Sequence, residues 1–211
     1  MMKKSVISSV IIILLLIVGT NKSYSEGRWG VVGGVDFSTL KFNQKLFNVD
    51  YSVGYTLGAV GDLNLGPNGF GVDLSLLYTQ RGATLHLGER PIWELDGYGK
   101  ERSYLHYIEV PVHLRYMYIK MNGFENTLAP FVFAGPSFSI LAANSRINAL
   151  EYARVAVSLQ FGIGVQLKNH YQIAGMYDLG ITYAEKTKAL LDVAARNRCW
   201  KVTFTYYFNY R

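Results

Sequence analysis

Residues 200–210 read Trp-Lys-Val-Thr-Phe-Thr-Tyr-Tyr-Phe-Asn-Tyr. Trp200, Val202, Phe204, Tyr206, Phe208 and Tyr210 occupy one parity, and Lys201, Thr203, Thr205, Tyr207 and Asn209 the other. A period of two belongs to a strand, whose successive side chains point to opposite faces. One face of this strand is apolar and aromatic, and the other is mostly polar.

The pattern recurs upstream, over residues 29–37, 53–63, 70–81, 104–119, 130–141, 155–167 and 171–183. Residues 155–167 alternate most cleanly, with Val155, Val157, Leu159, Phe161, Ile163, Val165 and Leu167 opposed to Ala156, Ser158, Gln160, Gly162, Gly164 and Gln166. The fifth strand is the least regular. Gly135-Pro136 in its middle removes a ladder donor and predicts a bulge. Gly66-Pro67-Asn68-Gly69 and Lys168-Asn169-His170 are turns by residue chemistry. Leu190, Leu191 and Val193 to Ala195 have helical spacing, which predicts one or two helical turns within residues 185–198.

The N-terminus has a different character. Lys3 and Lys4 precede an apolar run over residues 6–18, and Ser23-Tyr24-Ser25 offers small residues for cleavage. This is the build of a secretory signal peptide occupying residues 1–25. The remaining domain, residues 26–211, is of single-domain length. The formal charge of +6 falls to about +3 once Lys3, Lys4 and Lys22 leave. No basic cluster supports nucleic-acid binding. Cys199 is the one cysteine, so no internal disulfide can form.

Half the chain is hydrophobic and 16 residues are tyrosine. Beyond the leader, no apolar run approaches the roughly 20 residues a spanning helix needs. An exported chain of this kind buries its apolar face in a soluble β core or shows it to lipid from a closed barrel. Two patterns favour the barrel. The connections alternate long and short, with long ones near residues 41–50, 82–102, 144–154 and 185–198. Aromatics also fall at strand ends, at Trp29, Tyr116, Tyr118, Tyr171, Tyr206 and Tyr210 on one side and Tyr55, Tyr104, Tyr183 and Trp200 on the other. Short periplasmic turns, long external loops and aromatic girdles are features of outer-membrane barrels. The expected fold is all-β, an eight-stranded antiparallel up-and-down transmembrane β-barrel in the cell outer membrane, with both termini in the periplasm.

A barrel of about eight strands has a bore that side chains can fill, which excludes a general porin. The inward parity carries Asp36, Asp62, Asp73, Glu109 and Asp178 against Arg81, Arg115 and Lys201, with His113 among them. These residues form either a paired polar plug or a proton path through Glu109, His113 and Arg115. No metal-ligand spacing and no nucleotide loop appears, so no cofactor is expected. For His- and Ser-based chemistry on lipid A, the best candidate is His106 with Ser103 close by. The longest connection, residues 82–102, holds Arg90, Trp93, Glu94 and Tyr98 and is the candidate for binding a protein partner.

Residues 107–116, Tyr-Ile-Glu-Val-Pro-Val-His-Leu-Arg-Tyr, and residues 133–138, Phe-Ala-Gly-Pro-Ser-Phe, resemble two strands of the PorT-like outer-membrane β-barrel family. The resemblance implies a small outer-membrane barrel, inserted by the barrel-assembly machinery, with outer-membrane lipid around it. In the family's namesake it also implies a part in a protein secretion system. The expected function is a non-enzymatic structural or binding role through external loops. A secretion accessory and a lipid-A-modifying enzyme are the alternatives.

Overall fold

The computed structural model describes residues 27–42, 48–86, 99–119, 127–145, 150–183, 185–187 and 194–208. The expected signal peptide, the connection residues Arg90, Trp93, Glu94 and Tyr98, the apolar residues Leu190, Leu191 and Val193, and Tyr210 lie outside them. The described strands are β1 (Gly27–Phe42), β2 (Val49–Asn64), β3 (Phe70–His86), β4 (Lys100–Met117), β5 (Leu128–Asn144), β6 (Leu150–Tyr152), β7 (Val155–Leu167), β8 (Tyr171–Gly180), β9 (Glu185–Thr187) and β10 (Ala194–Tyr207).

Eight of these strands, all antiparallel to their neighbours, close into one barrel in the order β1-β2-β3-β4-β5-β7-β8-β10, with β10 returning to β1. The closing ladder runs without a break from Gly30↔Tyr207 to Phe42↔Ala195. β6 and β9 pair with each other, and β9 also pairs with the start of β10. They continue β7 and β8 past a break, at which Ile181 N and Thr182 N both donate to Val157 O (2.9 and 3.2 Å).

The turns follow from residue type. At one end of the barrel, Gly66 and Gly69 take φ of 104° and 80°, and Leu65 N bonds Phe70 O at 2.8 Å. At the turn between β7 and β8, Lys168 and Asn169 adopt φ of 46° and 58°. Paired left-handed residues of this kind match the right-handed twist of the flanking strands. This short-turn end is also where the chain enters β1 and leaves β10.

Three expectations need correcting. First, the strands are longer than the alternation indicated. β1 to β5 run 16 to 18 residues, so much of each predicted long loop is ladder. Above the apolar band the backbone still pairs, but apolar residues such as Leu40, Ala83, Leu85 and Leu105 now lie on the inward face. Second, residues 185–187 and 194–198 are strand, not helix. Pairing of Ala195 and Asn197 with Phe42 and Leu40 overrides the local helical spacing. Third, Gly135-Pro136 sits in unbroken register with β7, from Ala134↔Phe161 to Ser137↔Ser158, and forms no bulge. Gly135 instead allows a close strand approach, since a Cβ there would run into the Val112 carbonyl of β4. The irregularities fall elsewhere, between Tyr51 and Thr56 of β2 and between His106 and Tyr107 of β4.

The outward face is apolar over a continuous band. It includes Val31, Val35, Leu57, Leu74, Ile108, Leu114, Val132, Ile140, Leu159, Phe161, Ile163, Ile173, Val202 and Phe204, all exposed. On β1 the band runs from Trp29 to Phe37, a rise of 37 − 29 = 8 residues. That is about 27 Å along the strand. At a tilt of 35–45° it spans roughly 20 Å of the barrel axis, close to the ~25 Å apolar belt of membrane barrels.

Ile163 is the most exposed residue of the band, at 69%. Ile163→Arg is expected to cost about 2–4 kcal/mol, because hydrocarbon cannot solvate the charge. Thr203→Val, facing the lumen, is expected to cost less than about 1 kcal/mol. Urea unfolding in lipid vesicles compares the two. Equal costs would contradict the assignment of faces.

Candidate functional site

The inward parity of every long strand meets in the bore, and its charges gather in two clusters. The first is centred on Glu109 of β4, which is fully buried. Its carboxylate accepts from Arg81 of β3 (2.6 Å), Lys201 of β10 (3.0 and 3.2 Å) and Ser137 of β5 (2.8 Å), and from the amide of Gln160 of β7. Asp178 of β8 shares three of these donors. Arg81 lies 2.8 Å from it, Gln160 2.6 Å and Lys201 3.8 Å. His113 Nε2 donates to Gln160 Oε1 at 2.8 Å. Asp36 stands beside Lys201 in the closing ladder and accepts from Thr56 at 2.6 Å, and Thr56 in turn bonds Thr79 at 3.1 Å.

The second cluster sits toward the short-turn end. Asp62 of β2 is clamped by Arg28 of β1 and by Arg115 of β4 (2.6 Å). Arg115 also reaches Asn64 at 3.1 Å and Asp73 at 3.4 Å. Arg28 donates to Gln166 and to the Asn169 carbonyl, both at 3.1 Å, and lies 4.6 Å over the Tyr207 ring. Tyr207 donates to Gln172 at 2.7 Å. Between the clusters is a cavity of about 50 Å³, room for a few water molecules. Asp73 and Tyr207 border it on one side, and His113, Gln160 and Lys201 on the other.

Among the described residues, five inward carboxylates thus face four inward permanent cations. Burial of unpaired charges would be prohibitive, and mutual pairing offsets the desolvation. The pairs cross the bore. Arg81 ties β3 to β8 and Lys201 ties β10 to β4, strands that no backbone ladder connects. Asp36, Asp62, Asp73, Arg81, Glu109, His113 and Arg115 all lie in the lumen. Arg115, however, belongs to a different cluster from Glu109 and His113, so those three residues do not form one chain of groups. Arg28 lies just before the alternation of residues 29–37, although its parity matches Asp36. Gln160 is inward by parity, but its role as the bridge between Glu109 and Asp178 has no sequence signal.

Of the expected interface aromatics, Trp29, Tyr55, Tyr116, Tyr118, Tyr171, Tyr183 and Trp200 are exposed, and Tyr104 and Tyr206 half-buried. They form ring contacts at both ends of the band, including Tyr171–Tyr206 (5.4 Å) and Phe70–Tyr116 (4.9 Å) at one end and Tyr177–Trp200 (4.7 Å) and Tyr55–Tyr78 (6.2 Å) at the other. The Ser103–His106 pair does not assemble. Ser103 is buried on the inward face of β4, whereas the His106 ring bonds the Tyr78 hydroxyl outside the barrel at 2.8 Å. Residues three apart on a strand point to opposite faces. Among the described residues, no group of three or more His, Cys, Asp or Glu is arranged to hold a metal ion.

An antiparallel barrel that is closed, apolar outside and charge-paired inside is an integral membrane β-barrel. A family model described as outer membrane protein beta-barrel domain matches residues 21–184, and the chain belongs to that family. No curated protein matches it in sequence. Among solved structures it is similar in fold to Ail, the attachment invasion locus protein of Yersinia pestis, at 18% identity and a TM-score of 0.43, covering 87% of this chain and 99% of that one. OprG from Pseudomonas aeruginosa matches at 13% identity and a TM-score of 0.49, covering 89% and 99%. The outer-membrane enzyme PagL matches at 11% identity and a TM-score of 0.42, covering 82% and 98%. These likenesses concern the fold alone.

Glu109→Ala is expected to destabilise the barrel by about 3–5 kcal/mol, because Arg81 and Lys201 lose their buried partner. Glu109→Gln with Lys201→Met is expected to cost less than the sum of the two single changes, because it removes the charge on both sides of one pair. Urea unfolding in vesicles of the single and double variants checks this. Additive costs would contradict the pairing.

Proposed function

We propose that the protein is a non-enzymatic binding protein of the outer membrane. The barrel holds it in lipid, and its contacts are made at the end bearing the long connections. The observation that carries this reading is the uneven length of the strands. β1 to β5 run 16 to 18 residues, against about 9–11 for a tilted spanning strand. The excess lies at the long-connection end, where β6 and β9 add a further ladder. A collar of paired backbone is a rigid base on which connections can present a binding surface. The connection holding Arg90, Trp93, Glu94 and Tyr98 is the one proposed to meet a protein partner. With this end outside the cell, both termini lie in the periplasm, where the barrel-assembly machinery receives the chain.

The lumen supports the same reading. Paired charged side chains occupy the bore at two levels, which favours a structural plug over transport. The separation of Ser103 from His106 removes the best candidate pair for lipid A chemistry. The PorT-like resemblance supports an accessory role in secretion as the second reading. Its motif residues Glu109 and Pro111 both face the bore, and Glu109 is the centre of the larger cluster.

Two experiments test the proposal. Purified protein in a planar bilayer is expected to give no steady single-channel conductance, and a steady conductance would overturn the plug. Replacing residues 87–98 by a short Gly-Ser linker is expected to leave assembly unchanged, read as heat-modifiable gel mobility. The same variant is expected to abolish capture of surface partners by cross-linking. Unchanged capture would overturn the assignment of the partner to this connection.

A further inference from the structure

The outward face of β1 and β10 changes character where the apolar band ends. Below, Val35 pairs with Val202 and Phe37 with Trp200. Trp200 packs on Tyr177 with ring centroids 4.7 Å apart, the aromatic level at which hydrocarbon gives way to headgroups. Beyond it the same face carries Arg198, two residues on, and Arg196, four residues on. These positions lie about 7 and 13 Å farther along the strand.

Arg196 is the ladder partner of Lys41, and Arg198 of Thr39. Two cations therefore face each other directly across an antiparallel pair, with a third one dyad away. Like charges directly opposite one another on a sheet are destabilising. Among the described residues no carboxylate is paired with any of the three. The Arg196 guanidinium is nevertheless held in place, 5.0 Å over the Tyr183 ring. Its planar fork suits bidentate binding of a phosphate. The described face offers no comparable group at the short-turn end, where Lys168 in its turn is the one exposed cation.

We infer that Lys41, Arg196 and Arg198 form a binding site for the phosphate of a membrane-lipid headgroup in the leaflet at the long-connection end. A bound phosphate converts the repulsion between Lys41 and Arg196 into two attractions. The choice of a lipid over a free anion rests on the surface below. Phe37, Trp200, Val35 and Val202 continue the same register downward and present an apolar wall to acyl chains. A phosphate with chains beneath it matches both parts. This site is separate from the connection proposed to meet a protein partner, and it does not depend on that reading.

The test uses full-length folded protein in neutral detergent, with lipid binding read by native mass spectrometry. Dioleoylphosphatidic acid is the probe. Dioleoylglycerol supplies the same chains without phosphate, and inorganic phosphate the anion without chains. The wild type is expected to bind phosphatidic acid at least about tenfold more tightly than diacylglycerol. The Lys41→Gln/Arg196→Gln/Arg198→Gln variant is expected to lose that preference, and Lys168→Gln to keep it. A triple variant with the preference intact would overturn the site. Displacement of phosphatidic acid by inorganic phosphate at equal concentration would overturn the lipid assignment. Heat-modifiable gel mobility reports whether the triple variant folds. Should it not fold, the wild type decides the matter: the preference is expected to fall as salt rises, and a salt-independent preference would overturn the inference.

Discussion

Every backbone amide that enters hydrocarbon must find its hydrogen bond inside the protein, because lipid offers none. A sheet with a free edge fails that requirement, so the pairing of β10 with β1 is the contact on which the rest of the molecule depends. The two strands pair at 42 − 30 + 1 = 13 consecutive positions without a register shift. A slip of one residue would exchange the faces of the whole strand. Val202 and Phe204 would then point into the bore, and Lys201 into lipid. Closure and the assignment of faces are therefore one constraint.

The bore follows from closure. A barrel of eight strands has an interior that must be filled by its own side chains, and here the filling is ionic. Glu109 gathers donors from β3, β5, β7 and β10, while Asp62 gathers Arg28 and Arg115 from β1 and β4. Such clusters contribute little net energy relative to a well-packed apolar core. They do fix which strands stand across from one another. They also keep the inward parity polar, which leaves each strand with one apolar face instead of two.

Period-two alternation made the fold legible, and the chain's ends and turns made it more so. Residues 155–167 carried the alternation so cleanly that their bounds coincide with β7. The pattern stopped being informative above the lipid band. There β1, β2 and β3 continue past Phe37, Val53 and Arg81 with apolar residues such as Leu40, Ala83 and Leu85 on the inward face, so the apolar-out pattern no longer marks them. Gly135-Pro136 misled for a related reason. Glycine in a strand signals either a bulge or a close backbone approach, and only the Val112 carbonyl of the neighbouring strand decides between them. The lumen residues were visible as inward charges, but their partners were not. Arg81 meets Asp178 across 97 residues of sequence and Lys201 meets Glu109 across 92. No local rule pairs residues at that distance. The cations of the outer rim were likewise hidden, because Lys41 and Arg196 become neighbours only when the barrel closes.

The central claim is that the odd positions of β7 face lipid and the even positions face a closed interior. Its most direct test is a nitroxide scan of residues 159–166, one labelled cysteine at a time, in vesicles. The account predicts oxygen accessibility that alternates with a period of two, with maxima at Leu159, Phe161, Ile163 and Val165, and low access of a water-soluble nickel reagent at those sites. Nickel access equal to oxygen access at the odd positions, or no alternation along the strand, would contradict it.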